Sequence, residues 1–193
     1  MTLINQLQNL HSRIFQAVES ALNGWFLGLV ARLVFASVLF FLFFNAGISK
    51  LGEGIFGLFS PDAGAYAQII PHIAEAVVYD TSKIAFFPWT IIVIAGTIAE
   101  IVLPITIVAG LFTRLSSLAF IGVIAVMTFV DINLHGVGTE TIGAFFDQQH
   151  NAEIADQRLL WIFPLLYLII KGPGKISIDY LLSKVWSDRN TQD

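Results

Sequence analysis

Residues 84–113 constrain this chain most, because these thirty residues carry a single charged side chain, Glu100. At a rise of about 1.5 Å per residue, a helix of this length crosses a hydrocarbon layer of about 30 Å with residues to spare. If Arg114 lies at the headgroups, Glu100 lies about 20 Å deep. A carboxylate there costs about 2.5–3.5 kcal/mol even on the most lenient scale. The Glu100 side chain must therefore face protein or water rather than lipid.

The composition of the whole chain also indicates a membrane protein. Mean hydropathy is +0.77 and charged residues make up 12% of the chain, about half of the ~25% that is usual in soluble proteins. Residues 1–193 read as a single membrane domain. The absence of Cys excludes disulfides, thiolate metal sites and iron–sulfur clusters on this chain. No basic block indicates nucleic acid, so nucleic acid is not an expected partner.

Uncharged runs predict an all-α fold, an integral membrane four-helix bundle with amphipathic surface helices at both termini. The predicted spans are residues 25–48, 86–112, 115–131 and 157–171. The fourth is short, since only residues 159–170 are uncharged, and its ends must snorkel or be shielded. Apolar side chains at helical spacing predict surface helices over residues 3–22 and 177–187. The lipid bilayer is therefore an expected partner.

The segment between the first two spans is predicted to contain a short surface helix. The sequence Ser-Pro-Asp at residues 60–62 is typical of a helix start, with Ser60 as the N-cap and Pro61 in the first helical position. Ile69, Ile73 and Val77 then give this helix an apolar face.

Short motifs occur in a fixed order at the ends of the predicted spans and, in the second span, near its middle. They are Ala31-Arg32-Leu33, Ala46-Gly47-Ile48-Ser49-Lys50-Leu51, Ala99-Glu100-Ile101, Ala109-Gly110-Leu111-Phe112-Thr113-Arg114 and Gly172-Pro173-Gly174-Lys175-Ile176-Ser177-Ile178-Asp179. The ordered set resembles the DoxX/DoxD-like family of four-helix membrane proteins, although the two outer loops carry no matching motif.

This resemblance implies a four-helix membrane bundle that serves as a subunit or accessory of membrane oxidoreductases. One branch of the family is the small subunit of thiosulfate:quinone oxidoreductase, and other relatives belong to operons for copper-binding peptide maturation. The resemblance thus implies at most a subunit of an oxidoreductase complex. It also implies a partner protein subunit.

Glu100 is the candidate catalytic residue, and two interpretations of it remain open. Reduction of a quinone at membrane depth consumes protons, which a carboxyl group beside the quinone headgroup can deliver. Alternatively, Glu100 is a buried carboxyl, neutral or paired with Arg32, that fixes the register of the helices.

Arg32 and Lys50 are the candidate substrate-binding residues. Each can hold an anionic substrate or headgroup, and each can equally be a snorkelling end of the first span or an ion-pair partner. A quinone is the candidate cofactor, and no covalently bound cofactor is expected.

A second group of residues is expected to be structural: Arg114, Gly172, Pro173, Gly174, Ser177 and Asp179. Gly172, Pro173 and Gly174 stop the fourth span, and Ser177 is placed to cap the last helix. Asp179 is expected to stabilise the start of that helix through its dipole, or to pair with Arg32 or Arg114.

Histidine and phenylalanine carry weaker signals. His72, His135 and His150 share the outer side, but their spacing matches no ligand motif, so no metal site is assigned. The run of Phe at residues 40, 41, 43 and 44 is more typical of packing or lipid contact than of a quinone slot.

Two hypotheses about function follow. In the first, the chain is an inner-membrane subunit or accessory of a quinone-linked oxidoreductase, with the redox cofactor on a partner protein and the quinone near Glu100. In the second, it is a non-catalytic membrane scaffold or a small-solute carrier, linked to metal-binding peptide maturation in one version. A homo-oligomer is compatible with both.

The distribution of Lys and Arg predicts the orientation. Seven of the ten basic residues lie on the side of both termini and the turn at Thr113, whereas nine of the fourteen acids lie on the other side. The positive-inside rule then places both termini in the cytoplasm of a bacterial-type inner (plasma) membrane.

This orientation is tested by reporter fusions. A reporter that is active only outside the cytoplasm should be silent when it is fused after Asp193 and active when it is fused near Gly143, because two longer acidic loops are predicted to lie outside. The reverse pattern of activity would show that the predicted orientation is wrong.

Overall fold

The computed structural model describes residues 3–54 and 56–190, and the regular structure of these residues is entirely helical. The helices are α1 (Leu3–Leu22), α2 (Phe26–Ser49), α3 (Ala63–Ile69), α4 (Pro71–Ala76), α5 (Phe86–Ala109), α6 (Thr113–Asn133), α7 (Thr139–Ile142), α8 (Arg158–Lys171) and α9 (Ile178–Asn190). The prediction of an all-α chain is confirmed for this part of the chain. The limits of the predicted domain, at residues 1 and 193, lie outside it.

Three helices are long and apolar enough to cross a membrane. They are α2 and α5, with 24 residues each, and α6 with 21, and their mean hydropathies are 2.4, 2.5 and 2.1. At about 1.5 Å per residue, each exceeds the ~30 Å of a hydrocarbon core. By contrast, α8 has 14 residues and follows a wider helical turn at Glu153–Gln157. A membrane protein with three spanning helices is thus supported, and the fourth span remains a prediction.

Helix ends differ from the predicted ones where glycine intervenes. The second predicted span ends at residue 112, but α5 ends at Ala109, because Gly110 takes a left-handed conformation with φ of 72°. The amide groups of Gly110 and Leu111 then donate to the carbonyls of Ile107 and Thr106, which closes the last turn. This early end leaves room for a tight turn, and α6 begins at Thr113 rather than at residue 115.

Four helices pack in a ring around one apolar core. Both α2 and α6 contact α5 on one side and α8 on the other. The buried core consists of Ala31, Phe35, Leu39, Phe43, Ile107, Phe120, Ile124, Leu165 and Leu168. Phe120 lies at its centre, with ring centroids 5.0 Å from Phe35 and 4.7 Å from Phe43, both in the edge-on arrangement that aromatic quadrupoles favour.

The two ends of this bundle differ, and we name them by what they carry. The loop side carries residues 50–85 and 134–157, and the terminal side carries α1, the turn between α5 and α6, and α9. On the loop side, α3 and α4 pack against the half of α5 nearer its first residue, where Ile69, Ile73 and Val77 surround a cluster that includes Val93. The apolar face predicted for this segment is therefore confirmed.

The start of this segment corrects the predicted N-cap. Asp62, not Ser60, caps α3, since its side chain accepts a hydrogen bond of 2.8 Å from the Gly64 amide. The segment also breaks into two helices at Ile70, because the residue before a proline, here Pro71, is sterically pushed out of the α conformation.

Both terminal helices leave their apolar faces open. No residue of α1 is buried against the described chain, and its apolar side chains, including Leu7, Leu10 and Ile14, are exposed. In α9, which runs to Asn190 rather than to residue 187, Leu181 and Trp186 are likewise exposed. Such faces fit contact with a bilayer surface.

The central position of Phe120 can be tested by truncation. Phe120→Ala should lower the free energy of unfolding by about 3–5 kcal/mol, because it removes two aromatic contacts and leaves a cavity. Phe129→Ala is the control on the same helix, since Phe129 is 59% exposed and Phe120 is 0% exposed. Denaturant titration in detergent micelles measures both. Equal losses would contradict the packing described.

Candidate functional site

A cavity of about 950 Å³ lies on the loop side of the bundle, between α2, α5, α6 and α8. Most of its wall is apolar or small, including Phe43 from α2, Ala99 from α5, Gly122 from α6 and Trp161 from α8. A Cβ placed on Gly122 would meet no atom within 4 Å, so the space beside it is open. The size falls within the range of ~300–1,000 Å³ that is typical of small-molecule sites.

An ion pair between Lys50 and Glu100 forms part of this wall. The Lys50 ammonium donates to Glu100 Oε2, and the two side chains are 4% and 14% exposed. Gly47 makes the contact possible, because a Cβ there would lie 2.6 Å from Ile101 Cγ1. Glu100 is thus paired, as one interpretation expected, but its partner is Lys50 and not Arg32.

A second ion pair, which the sequence analysis missed, borders the same cavity. Arg158 at the start of α8 donates through Nη2 to Asp131 near the end of α6, and through Nη1 to Thr128 Oγ1 at 2.6 Å. Arg158 is buried, and its Nε has no hydrogen-bond partner among the described residues. In the sequence, Asp131 and Arg158 are opposite charges at the adjacent ends of two neighbouring predicted spans, and this arrangement could have indicated the ion pair.

Further polar groups lie at the loop end of the cavity. His135 Nε2 lies 3.1 Å from the carbonyl oxygen of Gln68, and Glu153 and Gln157 complete this part of the lining. Within residues 3–54 and 56–190, no three His, Asp or Glu side chains converge in a way that could hold a metal ion. The cavity is therefore apolar along most of its wall and polar at its two ion pairs and its loop end.

Arg32 lies at the other end of the bundle, on the terminal side. It is buried, and it donates to the carbonyl oxygens of Val108, at 2.8 Å, and Ile176. The Val108 carbonyl belongs to the last turn of α5 and has no partner within its own helix. Arg32 thus ties α2 to the end of α5 and to the chain before α9, and these are contacts of a structural residue.

Asp179 has a role beyond the expected one at the start of the last helix. Its carboxylate accepts hydrogen bonds from the amides of Phe112 and Thr113, at 2.7 and 2.9 Å, and from the Thr113 hydroxyl at 2.8 Å. It therefore caps the start of α6, while it also lies in the first turn of its own helix α9, as the dipole expectation requires; no ion pair with Arg32 or Arg114 is formed in the described residues. Ser177 makes the expected cap of α9, accepting from the Tyr180 amide at 3.2 Å.

The segment from Gly172 to Gly174 lies beside this cluster. Gly172 and Gly174 have φ values of 83° and 82°, which favour glycine, and a Cβ on Gly28 would lie 2.5 Å from the Pro173 carbonyl group. The loop therefore crosses α2 at a point where only glycine fits. Arg114 is exposed beside it and lines a shallow pocket of about 420 Å³.

No family model, curated protein or solved structure matches this chain. The motifs that resemble the DoxX/DoxD-like family nevertheless lie together in space. Lys50 meets Glu100 at the cavity, while Arg32, Gly110 and Asp179 lie together on the terminal side.

The buried ion pair is tested by a double-mutant comparison. Lys50→Met leaves the Glu100 charge without a partner in an apolar bundle, and should lower the free energy of unfolding by about 3–5 kcal/mol. The double variant with Glu100→Met removes both charges and should recover most of that loss. Unfolding of each variant is followed by circular dichroism in detergent.

The exposed pair of Lys83 and Asp80 supplies the control for this comparison. Its atoms are 2.9 Å apart but the side chains are 67% and 42% exposed, so Lys83→Met should leave stability nearly unchanged. A double variant at Lys50 and Glu100 that is less stable than Lys50→Met would contradict the assignment of a buried, mutually dependent pair.

Proposed function

We propose that this chain is a four-helix integral membrane protein of the DoxX/DoxD-like family, and that its cavity binds a quinone or a similar neutral amphiphile. In this proposal it acts as a subunit or accessory of a membrane oxidoreductase. The observation that carries the proposal is the apolar cavity of about 950 Å³ with the Lys50–Glu100 ion pair in its wall.

The surface of α8 supports a fourth membrane span. Leu160, Phe163 and Ile170 project outward and are highly exposed, as lipid-facing residues would be. Arg158 is neutralised by Asp131, so that Lys171 at the other end remains the one charge to be accommodated, and a lysine there can snorkel. We assign the bundle to a bacterial-type inner membrane with both termini in the cytoplasm, on the basis of the Lys and Arg distribution.

The charge balance of the cavity favours a neutral ligand over an anion. Lys50 is neutralised by Glu100 and Arg158 by Asp131, so that neither cation is free to balance an anionic substrate. The same cations still carry N–H groups that can donate to a carbonyl oxygen, and the apolar wall accommodates a hydrocarbon tail. A quinone combines carbonyl oxygens with such a tail.

The chemistry required of this chain is proton transfer. Conversion of a quinone to a quinol adds an electron pair to the ring and a proton to each carbonyl oxygen. The electrons come from a redox cofactor on a partner protein subunit, as the family resemblance implies. Glu100 supplies the two protons in turn and is reprotonated between the two transfers, and the Lys50 ammonium beside it stabilises the carboxylate that remains after each one.

The completeness of the ion pairs favours a second function, that of a non-catalytic scaffold or small-solute carrier. Both cations in the cavity wall, Lys50 and Arg158, already have a counter-ion, which is what purely structural pairs would show. In that case Glu100 holds α2 against α5 through its ion pair with Lys50. A role in metal-binding peptide maturation, which the resemblance to the DoxX/DoxD-like family also implies, would then fit better than a role in quinone reduction.

The two functions separate in a complex purified with its partner in mild detergent. Glu100→Gln keeps an acceptor for Lys50 but has no proton to give, so quinone-linked turnover per folded complex should fall by about 10²-fold or more. Gly122→Trp should fill the cavity and abolish labelling by a photoreactive quinone analogue. Leu118→Trp, at an exposed position on the same helix outside the cavity lining, is the matched control.

Normal turnover in Glu100→Gln would remove the proton-transfer role. If Gly122→Trp and the unmodified protein were labelled equally by the quinone analogue, the cavity would not be the quinone site. Both results together would leave the scaffold function.

A further inference from the structure

The cavity extends in one direction only along the bundle. On α6 its lining begins at Ala119 and continues through Gly122 to Asp131, a distance of about 18 Å along the helix axis. The lining residues of α5, from Ile92 to Glu100, belong to the half of that helix nearer the loop side. Glu100 and Ala119 thus lie at the deep end of the cavity, with Gly122 one turn above Ala119, and Asp131 lies near its other end.

Towards the terminal side, the bundle beyond Glu100 is tightly packed. Phe35, Ile107, Phe120, Leu165 and Leu168 all have 0% exposure and form one continuous cluster. Protein interiors of this kind have the packing density of organic crystals and exclude water. No described group on the terminal side therefore offers Glu100 a route to solvent.

Towards the loop side, the lining becomes polar and exposed. Gln68, His135 and Glu153 border the cavity, and all are exposed to solvent. The Glu100 side chain keeps 14% of its surface accessible, whereas that of Lys50 keeps 4%. The cavity thus joins the solvent on the loop side to the carboxyl of Glu100, along a wall that is mostly apolar and carries polar groups at its two ion pairs and its loop end.

We propose that the cavity is a water-accessible vestibule that opens to the loop side, and that Glu100 exchanges its proton with that side of the membrane. The charged and titratable groups that line this path are Lys50 from α2, Asp131 from α6, Arg158 from α8, and His135 and Glu153 from the connecting segments. The use of the proton rests on the proposed quinone function, but access to Glu100 does not require a quinone.

This assignment has a consequence for the direction of proton movement. A ligand reduced beside Glu100 would draw its protons from the loop side, and a ligand oxidised there would release them to that side. The terminal side would contribute none, because the packed core separates it from Glu100.

The absence of Cys in the chain makes the access route directly testable, because each introduced thiol is unique. Ala99→Cys and Gly122→Cys place thiols at the deep end of the cavity, and both substitutions are small. Phe129→Cys is the matched control: it lies closer to the loop end of α6, but on its outward surface and outside the cavity lining. Two thiols at exposed positions identify the side from which the reagent acts: Gln149→Cys reports the loop side and Ser183→Cys reports the terminal side.

These variants are reconstituted into sealed vesicles and treated with a charged, membrane-impermeant methanethiosulfonate. Thiols at positions 99 and 122 should react from the side that modifies Gln149→Cys, about tenfold faster than the thiol of Phe129→Cys, because the reaction requires a hydrated thiolate. Reaction from the Ser183→Cys side, or from neither side, would overturn the proposal.

The proton is tested separately with a water-soluble carbodiimide, which reacts with protonated carboxyl groups. The Glu100 adduct, identified by peptide mass and absent in Glu100→Gln, should increase when the pH is lowered on the loop side and not when it is lowered on the terminal side. Dependence on the terminal-side pH would contradict the proposal. The vesicles contain no quinone, so a failure of quinone binding would leave these results unchanged.

Discussion

The ion pair between Lys50 and Glu100 is the interaction on which the arrangement of the bundle depends. A lone charge at this depth is too costly to leave unpaired, so the end of α2 has to lie beside the middle of α5. Gly47 permits that approach by removing the side chain that would collide with Ile101. Because α2 ends beside Glu100, the half of α5 nearer the loop side extends beyond the end of α2. There α3 and α4 cover one face of α5, and the cavity occupies the remaining space.

On the terminal side, the polar side chains Arg32 and Asp179 bond to the ends of neighbouring helices instead of lining the cavity. Arg32 takes up carbonyls of α5 and of the chain before α9, Asp179 caps α6, and the Asp179 amide donates to Gly110 at 2.8 Å. Helix ends that bond to one another in this way hold the four helices at fixed positions. The cavity of about 950 Å³ therefore lies on the loop side, whereas the terminal side has a shallow pocket of about 420 Å³.

The sequence predicted the elements of this fold better than their contacts, for a physical reason. Hydropathy and charge are local, so the apolar runs located α2, α5 and α6 within a few residues. Which residue pairs with Glu100 depends on how α2 and α5 are shifted along each other. Close packing at Gly47 determines this shift, and the pattern of charges in the sequence does not reveal it. In the sequence, Asp131 and Arg158 likewise look like charged residues at the ends of two spans, because their ion pair forms only when α6 and α8 lie side by side. Asp179 caps a helix that precedes it by more than sixty residues.

The Lys50–Glu100 pair also determines how a proton and a ligand charge can be coupled in the proposed function. When Glu100 is protonated, the Lys50 ammonium loses its counter-ion in an apolar wall, which is unfavourable unless another negative charge approaches. An oxygen of a bound ligand that gains electron density can provide that charge. Transfer of the proton from Glu100 to this oxygen then neutralises the ligand and restores the original pair. The same ammonium therefore serves the carboxylate and the ligand in turn, so that a proton is held at Glu100 only while the ligand needs it.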